Sequence, residues 1–145
     1  MKKDAWIAAL VFLLDRGSKL LWHRIPEAGV TLIPGVLGLA RARNTGMAFS
    51  LFSGAPWLLV VLSLGILAGA FFYLRGKQLS GLSRVGLMMM LGGALGNLAD
   101  RLFLGYVPDM IEVLFVRFAV FNLADVGLVI GCGLLMIALL WKEKE

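Results

Sequence analysis

The sequence predicts an all-α membrane bundle of four transmembrane helices that carries a small extracytoplasmic β-sheet. Of its 145 residues, 60% are hydrophobic and 16% are charged, whereas a soluble domain usually has about 45–50% apolar and about 25% charged residues. A spanning helix needs about 20 mostly apolar residues. Four stretches meet this need, at about 5–22, 57–74, 85–104 and 123–141, and the length suits one membrane domain over residues 1–145.

The first span is the least regular of the four, because Asp15, Arg16 and Lys19 interrupt it. Its basic start, MKKDAW, resembles that of a signal peptide, but no small-residue cleavage site follows the apolar stretch. We therefore expect a retained helix. The ends of the spans carry tryptophans, as interfacial anchors do: Trp6, Trp22, Trp57 and Trp141.

Two connections, at about 23–56 and 105–122, are expected to form the sheet. The segment VLGLARARN (36–44) alternates in side-chain character, which is a strand signal. The segment EVLFVRFAVF (112–121) is β-branched and aromatic, and it is too short to span a membrane as a helix. Between them, Pro108 favours an extended conformation at Val107, so Asp109 is expected on a bend.

The positions of the basic residues predict the topology. Four spans place both termini on one side of the membrane, and cytoplasmic segments carry the excess of Lys and Arg. Seven basic residues flank the termini and the 75–84 loop, and four lie in the other connections. The first set is Lys2, Lys3, Arg75, Lys77, Arg84, Lys142 and Lys144; the second is Arg24, Arg41, Arg43 and Arg117. Both termini are therefore predicted to be cytoplasmic.

Composition also excludes several kinds of function. The net charge of +5 comes from scattered basic residues without a basic stripe, which argues against nucleic-acid binding. The single cysteine, Cys132, and the single histidine, His23, allow neither an internal disulfide nor a Cys/His metal cluster. There is no HExxH motif. We expect no metal and no organic cofactor.

Polar residues within the predicted spans converge at one depth, near the extracytoplasmic side. They are Asp15 and Lys19 in the first span, Asn97, Asp100 and Arg101 in the third, and Asn122 and Asp125 at the start of the fourth. Buried polar groups need one another as partners, so this convergence suggests a site. Asp15 and Lys19 are four residues apart and can pair on one helix face. Asp100 can pair with Arg101 or across the bundle, and all three are expected to be structural.

Two acids at this depth lack an obvious local cation, Asp109 and Asp125. Two carboxylates that face each other in a low-dielectric site do not both ionise easily, so one keeps a proton while the other acts as a base. Such a pair can activate a water molecule and polarise a carbonyl, as in aspartic proteases. The alternative is that Asp125 is a hydrogen-bonded helix anchor or part of a helix cap.

The small residues of GGALG (92–96) and Gly127 and Gly131 suggest close helix packing.

Five blocks together resemble the lipoprotein signal peptidases, the bacterial type II signal peptidases, in order and spacing. The blocks are DRGSK (15–19), NTGMAFS (44–50), GGALGNLADR (92–101), VPDMIEV (107–113) and FNLADVG (121–127). The resemblance implies four transmembrane helices with an extracytoplasmic β-cradle in the bacterial inner membrane. It also implies an aspartic endopeptidase that cleaves prolipoproteins on the amino side of a cysteine carrying diacylglycerol.

The resemblance assigns roles to individual residues. The catalytic aspartates of the family correspond to Asp109 and Asp125, and its site-lining residues correspond to Asn44, Asn97, Arg101 and Asn122. It implies lipid-modified prolipoproteins, membrane lipid and globomycin-type cyclic peptides as partners, and we expect a monomer. The chain departs from the usual pattern at Arg16, Met110 and Val126, where glutamine, an aromatic residue and serine are common.

Two other functions are compatible with the architecture. A small transporter would use the polar cluster as an ion path, but it should carry polar residues along the full depth, and the second and fourth spans have almost none inside. A non-catalytic membrane assembly protein of the same fold differs only in lacking activity.

Overall fold

The computed structural model describes residues 4–46, 54–74, 76 and 78–142. Four helices dominate it: α1 (Ala5–Leu20), α2 (Pro56–Leu74), α3 (Gly81–Leu104) and α4 (Leu123–Lys142). A short 3-10 turn, Trp22–Arg24, follows α1. Three strands complete the fold: β1 (Val30–Ile33), β2 (Leu37–Asn44) and β3 (Val107–Val113).

Helix α3 is the centre of the bundle, because it packs against α1, α2 and α4, and α1 also packs against α4. Glycines allow α3 and α4 to approach closely. A Cβ atom on Gly86 would lie 2.6 Å from the carbonyl oxygen of Gly131, and one on Gly131 would lie 2.5 Å from that of Gly86. The glycines of GGALG (92–96) and Gly127 also lie against neighbouring helices too closely for a Cβ atom, so the expectation that they and Gly131 serve close helix packing is confirmed.

By length and composition, two of the described helices could cross a membrane, Gly81–Leu104 and Leu123–Trp141. Trp57–Phe72 is apolar but shorter. The count of four spans therefore stays a prediction. The topology also stays a prediction, and five of the basic residues on which it rests, Lys2, Lys3, Arg75, Lys77 and Lys144, lie outside the described residues. Part of the NTGMAFS block, residues 47–50, also lies outside them.

The three strands form one antiparallel sheet in the order β1-β2-β3. Strand β2 agrees with the predicted strand at 36–44. The second predicted strand, 112–121, is wrong: β3 ends at Val113, and only Phe121 rejoins the sheet, through a bridge to Ile111. The β-branched and aromatic composition of this segment suggested a strand, but Phe115 and Phe118 lie outside the strands and are exposed.

Asp109 lies within β3 and not on the predicted bend. Its register partner on β2 is Ala42, next to an irregularity in the pairing between Leu39 and Ala42. Pro108 is accommodated because β3 is an edge strand of the sheet, where proline can face away from the neighbouring strand. The extended backbone that Pro108 imposes thus continues as a strand.

Trp22 also departs from its prediction. Trp6, Trp57 and Trp141 are exposed, as interfacial anchors would be, whereas Trp22 is only 2% exposed. It forms a buried apolar cluster with Ile25 and Met110 between the end of α1 and the sheet.

Candidate active site

A cluster of buried charges joins α1 to α3. The Lys19 ammonium lies 2.8 Å from the Asp15 carboxylate and 2.6 Å from the Asp100 carboxylate. The Arg16 guanidinium contacts the same two acids, at 2.8 Å and 2.6 Å. Asp15 and Asp100 are fully buried. Two acids and two bases make the cluster neutral, which buried charges require.

The structural pairing predicted for Asp15, Lys19 and Asp100 is present, but it is larger than the sequence indicated. Asp100 pairs across the bundle with Lys19 and Arg16, and not with Arg101 beside it in sequence. The participation of Arg16 was not predicted. The sequence did contain a signal for it, because Arg16 is adjacent to Asp15 and was a further cation at the depth of the two acids.

The cluster also fixes the start of α4. The backbone N–H of Ala124 donates to Asp15 Oδ1 at 3.1 Å. The Lys19 ammonium donates to Asn97 Oδ1 at 3.1 Å, and Asn97 Nδ2 donates to Asp125 Oδ1 at 2.8 Å. A carboxylate at a helix N-terminus is stabilised by the helix dipole, so Asp15 holds α4 in place from a neighbouring helix.

Asn122 and Asp125 cap α4 reciprocally. The backbone N–H of Asp125 donates to Asn122 Oδ1 at 3.0 Å, and that of Asn122 donates to Asp125 Oδ2 at 3.2 Å. This exchange is a capping box in which Asn122 is the N-cap residue and Asp125 is the third helical residue. The alternative raised for Asp125, a part in a helix cap, is therefore present in the structure. It leaves room for a further role, because only Oδ2 of Asp125 takes part in the capping box and Oδ1 does not.

The side chain of Asn122 also reaches Asp109. Its Nδ2 donates to Asp109 Oδ1 at 2.6 Å, and Asn44 Nδ2 donates to Asp109 Oδ2 at 3.0 Å. Asn122 is fully buried and Asp109 is 2% exposed. One residue, Asn122, is thus hydrogen-bonded to both of the acids that lacked a local cation in the sequence.

Arg101 organises the remaining wall of the site. Its guanidinium donates to the backbone carbonyl of Gly46 at 2.9 Å. The N–H of Gly46 in turn donates to Asn44 Oδ1 at 2.9 Å. Arg101 therefore holds the turn that directs the Asn44 amide toward Asp109.

These residues surround a cavity of about 460 Å³. Its polar lining residues are Asn44, Asn97, Arg101, Asn122 and Asp125, and its apolar ones include Phe118, Val126, Leu128 and Val129. Asp109 is not among the described residues that line the cavity, but it lies directly behind Asn44 and Asn122, which line it and donate to its carboxylate. Within the described ranges, no three His, Cys, Asp or Glu side chains are grouped as a metal ion would need.

Burial raises the pKa of the Asp109 carboxyl to about 6, and the hydrogen bonds from Asn122 and Asn44 oppose that rise. The negative charge of Asp125 acts in the same direction as burial. Asp109 is therefore a carboxyl that holds its proton closer to neutral pH than an ordinary aspartate does.

Four helices, a small sheet and a cavity at which Asn122 is hydrogen-bonded to two aspartates are what the sequence led us to expect of a membrane peptidase. The family model described as signal peptidase (SPase) II matches residues 7–141, and the chain belongs to this family. The predicted resemblance is thereby confirmed, and the chain is a membrane enzyme of the hydrolase class.

Individual relatives agree with this assignment. The lipoprotein signal peptidase of Latilactobacillus sakei subsp. sakei (strain 23K) is 42% identical over 117 residues, which cover 79% of this chain and 76% of that protein. The lipoprotein signal peptidase of Streptococcus pyogenes serotype M1 is 37% identical over 150 residues, covering 100% and 98%.

Two solved structures of bacterial membrane enzymes, both obtained by the in meso method, share the fold. The first, at 2.3 Å resolution, has a TM-score of 0.89 and 29% identity, covering 99% of this chain and 90% of that one. The second, at 1.9 Å resolution, has a TM-score of 0.84 and 30% identity, covering 97% and 94%.

The raised pKa of Asp109 predicts a pH-dependent term in stability. Because the folded-state pKa of about 6 exceeds the unfolded value of about 3.9, the folded protein binds this proton more tightly. The contribution of this proton to the free energy of unfolding is complete below about pH 4 and is lost as the pH rises through about 6. The wild type should therefore lose stability relative to Asp109→Asn as the pH rises from 4 to 6. The unfolding temperatures of the two proteins, measured in the same detergent across this interval, test this. A constant difference across this interval would contradict the prediction.

Proposed function

We propose that this protein is an aspartyl endopeptidase of the bacterial cytoplasmic membrane that removes signal peptides from diacylglyceryl-modified prolipoproteins. It cleaves on the amino side of the lipidated cysteine. The observation that supports this most directly is the bridge formed by Asn122, which is hydrogen-bonded to both Asp109 and Asp125 at the wall of one cavity. Membership of the signal peptidase II family supports the reaction and the substrate.

Asp109 and Asp125 are the proposed catalytic pair. The ionised aspartate takes a proton from a water molecule, whose oxygen attacks the scissile carbonyl carbon. The protonated aspartate hydrogen-bonds the carbonyl oxygen and then supplies the proton with which the amine leaves. The products are a free carboxylate on the signal peptide and a free amine on the cysteine. The two carboxyls are proposed to share one proton during the reaction, one acting as the acid and the other as the base.

Asn44, Asn97, Arg101 and Asn122 are the proposed substrate-binding residues. All four line the cavity, and three of them carry side-chain amides that can donate to and accept from a peptide backbone. In the structure these amides also hold the two carboxylates, so they position the catalytic pair as well as the substrate. Asp15, Lys19 and Asp100 support the site from behind through Asn97.

All four helices are proposed to cross the membrane as one domain, with both termini cytoplasmic and the sheet extracytoplasmic. The charges of α1 do not argue against this, because Asp15 and Lys19 are buried against α3 while Leu10, Leu13 and Leu14 are exposed. A helix can carry ionised residues through a bilayer when they face the bundle and are paired. Helix α2 is apolar from Trp57 to Phe72.

The apolar part of the cavity wall supports a lipid-bearing substrate. Leu128, Val129 and Ile130 line the cavity, and Val129 is 72% exposed on α4, so the cavity wall is continuous with a surface that lipid would cover. Globomycin-type cyclic peptides are proposed to bind in the same cavity. A monomer is proposed because one chain supplies all the proposed site residues.

The first prediction from this proposal concerns the two acids. Asp109→Asn and Asp125→Asn should each abolish cleavage of a diacylglyceryl-modified preprotein, because each removes one titrating group from a unit that needs both. The double variant should lose no more activity than either single variant. Cleavage by purified protein is the measurement, with folding checked by thermal unfolding.

Asp4→Asn is the matched control, since Asp4 pairs with Arg84 at the other end of α1 and α3. It should retain activity. Substantial turnover by Asp109→Asn or Asp125→Asn would refute the assignment of the pair, and an inactive wild type on a confirmed lipid-modified substrate would favour a non-catalytic assembly protein.

The second prediction concerns the lipid on the substrate. Each buried methylene contributes about 0.8 kcal/mol to membrane partitioning, so two acyl chains confine the substrate to the membrane and set the depth of the scissile bond. The same preprotein without diacylglycerol should therefore be a very poor substrate. The two forms should be compared in one bilayer preparation, with Asp109→Asn as the blank. Equal cleavage of both forms would show that the lipid is not recognised.

A further inference from the structure

Trp22 is buried, although its position at the end of the first predicted span suggested an exposed interfacial anchor. The turn after α1 directs its indole under β3, where it packs with Ile25 and Met110. Its Nε1–H donates to the backbone carbonyl oxygen of Asp109 at 2.9 Å. The side chain therefore contacts the main chain of one of the two proposed catalytic residues.

The peptide group between Asp109 and Met110 is held at both of its polar atoms. Trp22 holds the carbonyl oxygen, and the N–H of Met110 donates to the carbonyl oxygen of Phe121 at 2.9 Å. Because a peptide group is planar, fixing its oxygen and its N–H fixes the whole plane. The position of the Asp109 Cα atom follows, and the pairing of β3 with β2 at Ala42 and Asp109 restricts the remaining backbone rotation that sets the direction of the side chain.

The indole ring is itself held from several sides. The guanidinium carbons of Arg41 and Arg43 lie 5.3 Å and 5.8 Å from the centroid of the indole ring. These distances are within the range at which cations are attracted to aromatic faces. His23 contacts it edge-on, with ring centroids 5.0 Å apart, and Tyr106 packs at a tilt. Since Arg41 and Arg43 belong to β2, the ring is fixed relative to the sheet that carries Asp109.

We propose that Trp22 is a positioning residue for Asp109, and that its indole N–H, separately from its bulk, orients the carboxylate toward Asn44 and Asn122. This inference rests on the proposed function of Asp109. Trp22 is not among the described residues that line the cavity, so it should affect the chemical step and leave substrate binding nearly unchanged. Displacing a catalytic group by about 1 Å can cost about 100-fold in rate.

The test replaces Trp22 by benzothienylalanine, which keeps the shape of the side chain and has a sulfur atom in place of the N–H. The kcat for a lipid-modified preprotein should fall about 10-fold to 100-fold, with KM within about 2-fold and little change in thermal stability. Trp6, which is 64% exposed, provides the control: the same replacement there should leave kcat and KM unchanged. Trp22→Phe, which removes bulk as well, should lower both kcat and the unfolding temperature.

A benzothienylalanine variant with the kcat of the wild type would overturn the inference, even if Trp22→Phe is unstable. An inactive wild type would instead count against the proposed function. In that case the ¹³C-carboxyl resonance of Asp109, assigned by its absence from Asp109→Asn, decides the inference. The benzothienylalanine variant should change its pH titration, and an unchanged titration would contradict a positioning role.

Discussion

The requirement that buried charges be partnered inside the bundle is the constraint on which the rest of this structure depends. Lys19 satisfies it by contacting Asp15, Asp100 and Asn97 at once. Asn97 then carries the network onward, because its Nδ2 donates to Asp125 and its Oδ1 also accepts from Asn122. Asn97 therefore connects the buried ion cluster to Asp125 of the proposed catalytic pair. The placement of Asp125 therefore follows from the packing of α1, α3 and α4.

The same constraint explains where the helices must approach closely. A Cβ atom on Gly96 would lie 2.7 Å from Asp15 Oδ2, and one on Gly127 would lie 2.7 Å from the Val11 side chain. The glycines of α3 and α4 thus make room for a charged residue of α1 as well as for ordinary helix packing. The sheet supplies what the helices do not, since β2 and β3 bring Asn44 and Asp109 to the start of α4. The site is therefore assembled from helix and sheet together.

Local pattern was sufficient to predict part of this arrangement. The spacing of Asp15 and Lys19 predicted a pair, and the shared depth of the polar residues predicted that they would meet. The start of α4 was predicted at the correct residue, although the N-cap is Asn122 and not Asp125.

Contacts between distant segments were not predictable in this way. Arg16 reaches Asp100 and Trp22 reaches Asp109 across more than 80 positions of sequence, and Trp22 looked like three other tryptophans that remain exposed. Strand β3 was misplaced because the apolar run after it resembles a strand more than VPDMIEV does.

The measurement that tests the central claim most directly is the free energy of unfolding of Lys19→Met, compared with that of Arg84→Gln. Lys19→Met leaves Asp15 and Asp100 buried with one cation between them, and it should cost about 3–5 kcal/mol. Arg84→Gln removes a more accessible pair with Asp4 between the same two helices and should cost about 1 kcal/mol or less. A Lys19→Met variant as stable as Arg84→Gln would show that the buried cluster does not hold the helices, and the account of the site would fail with it.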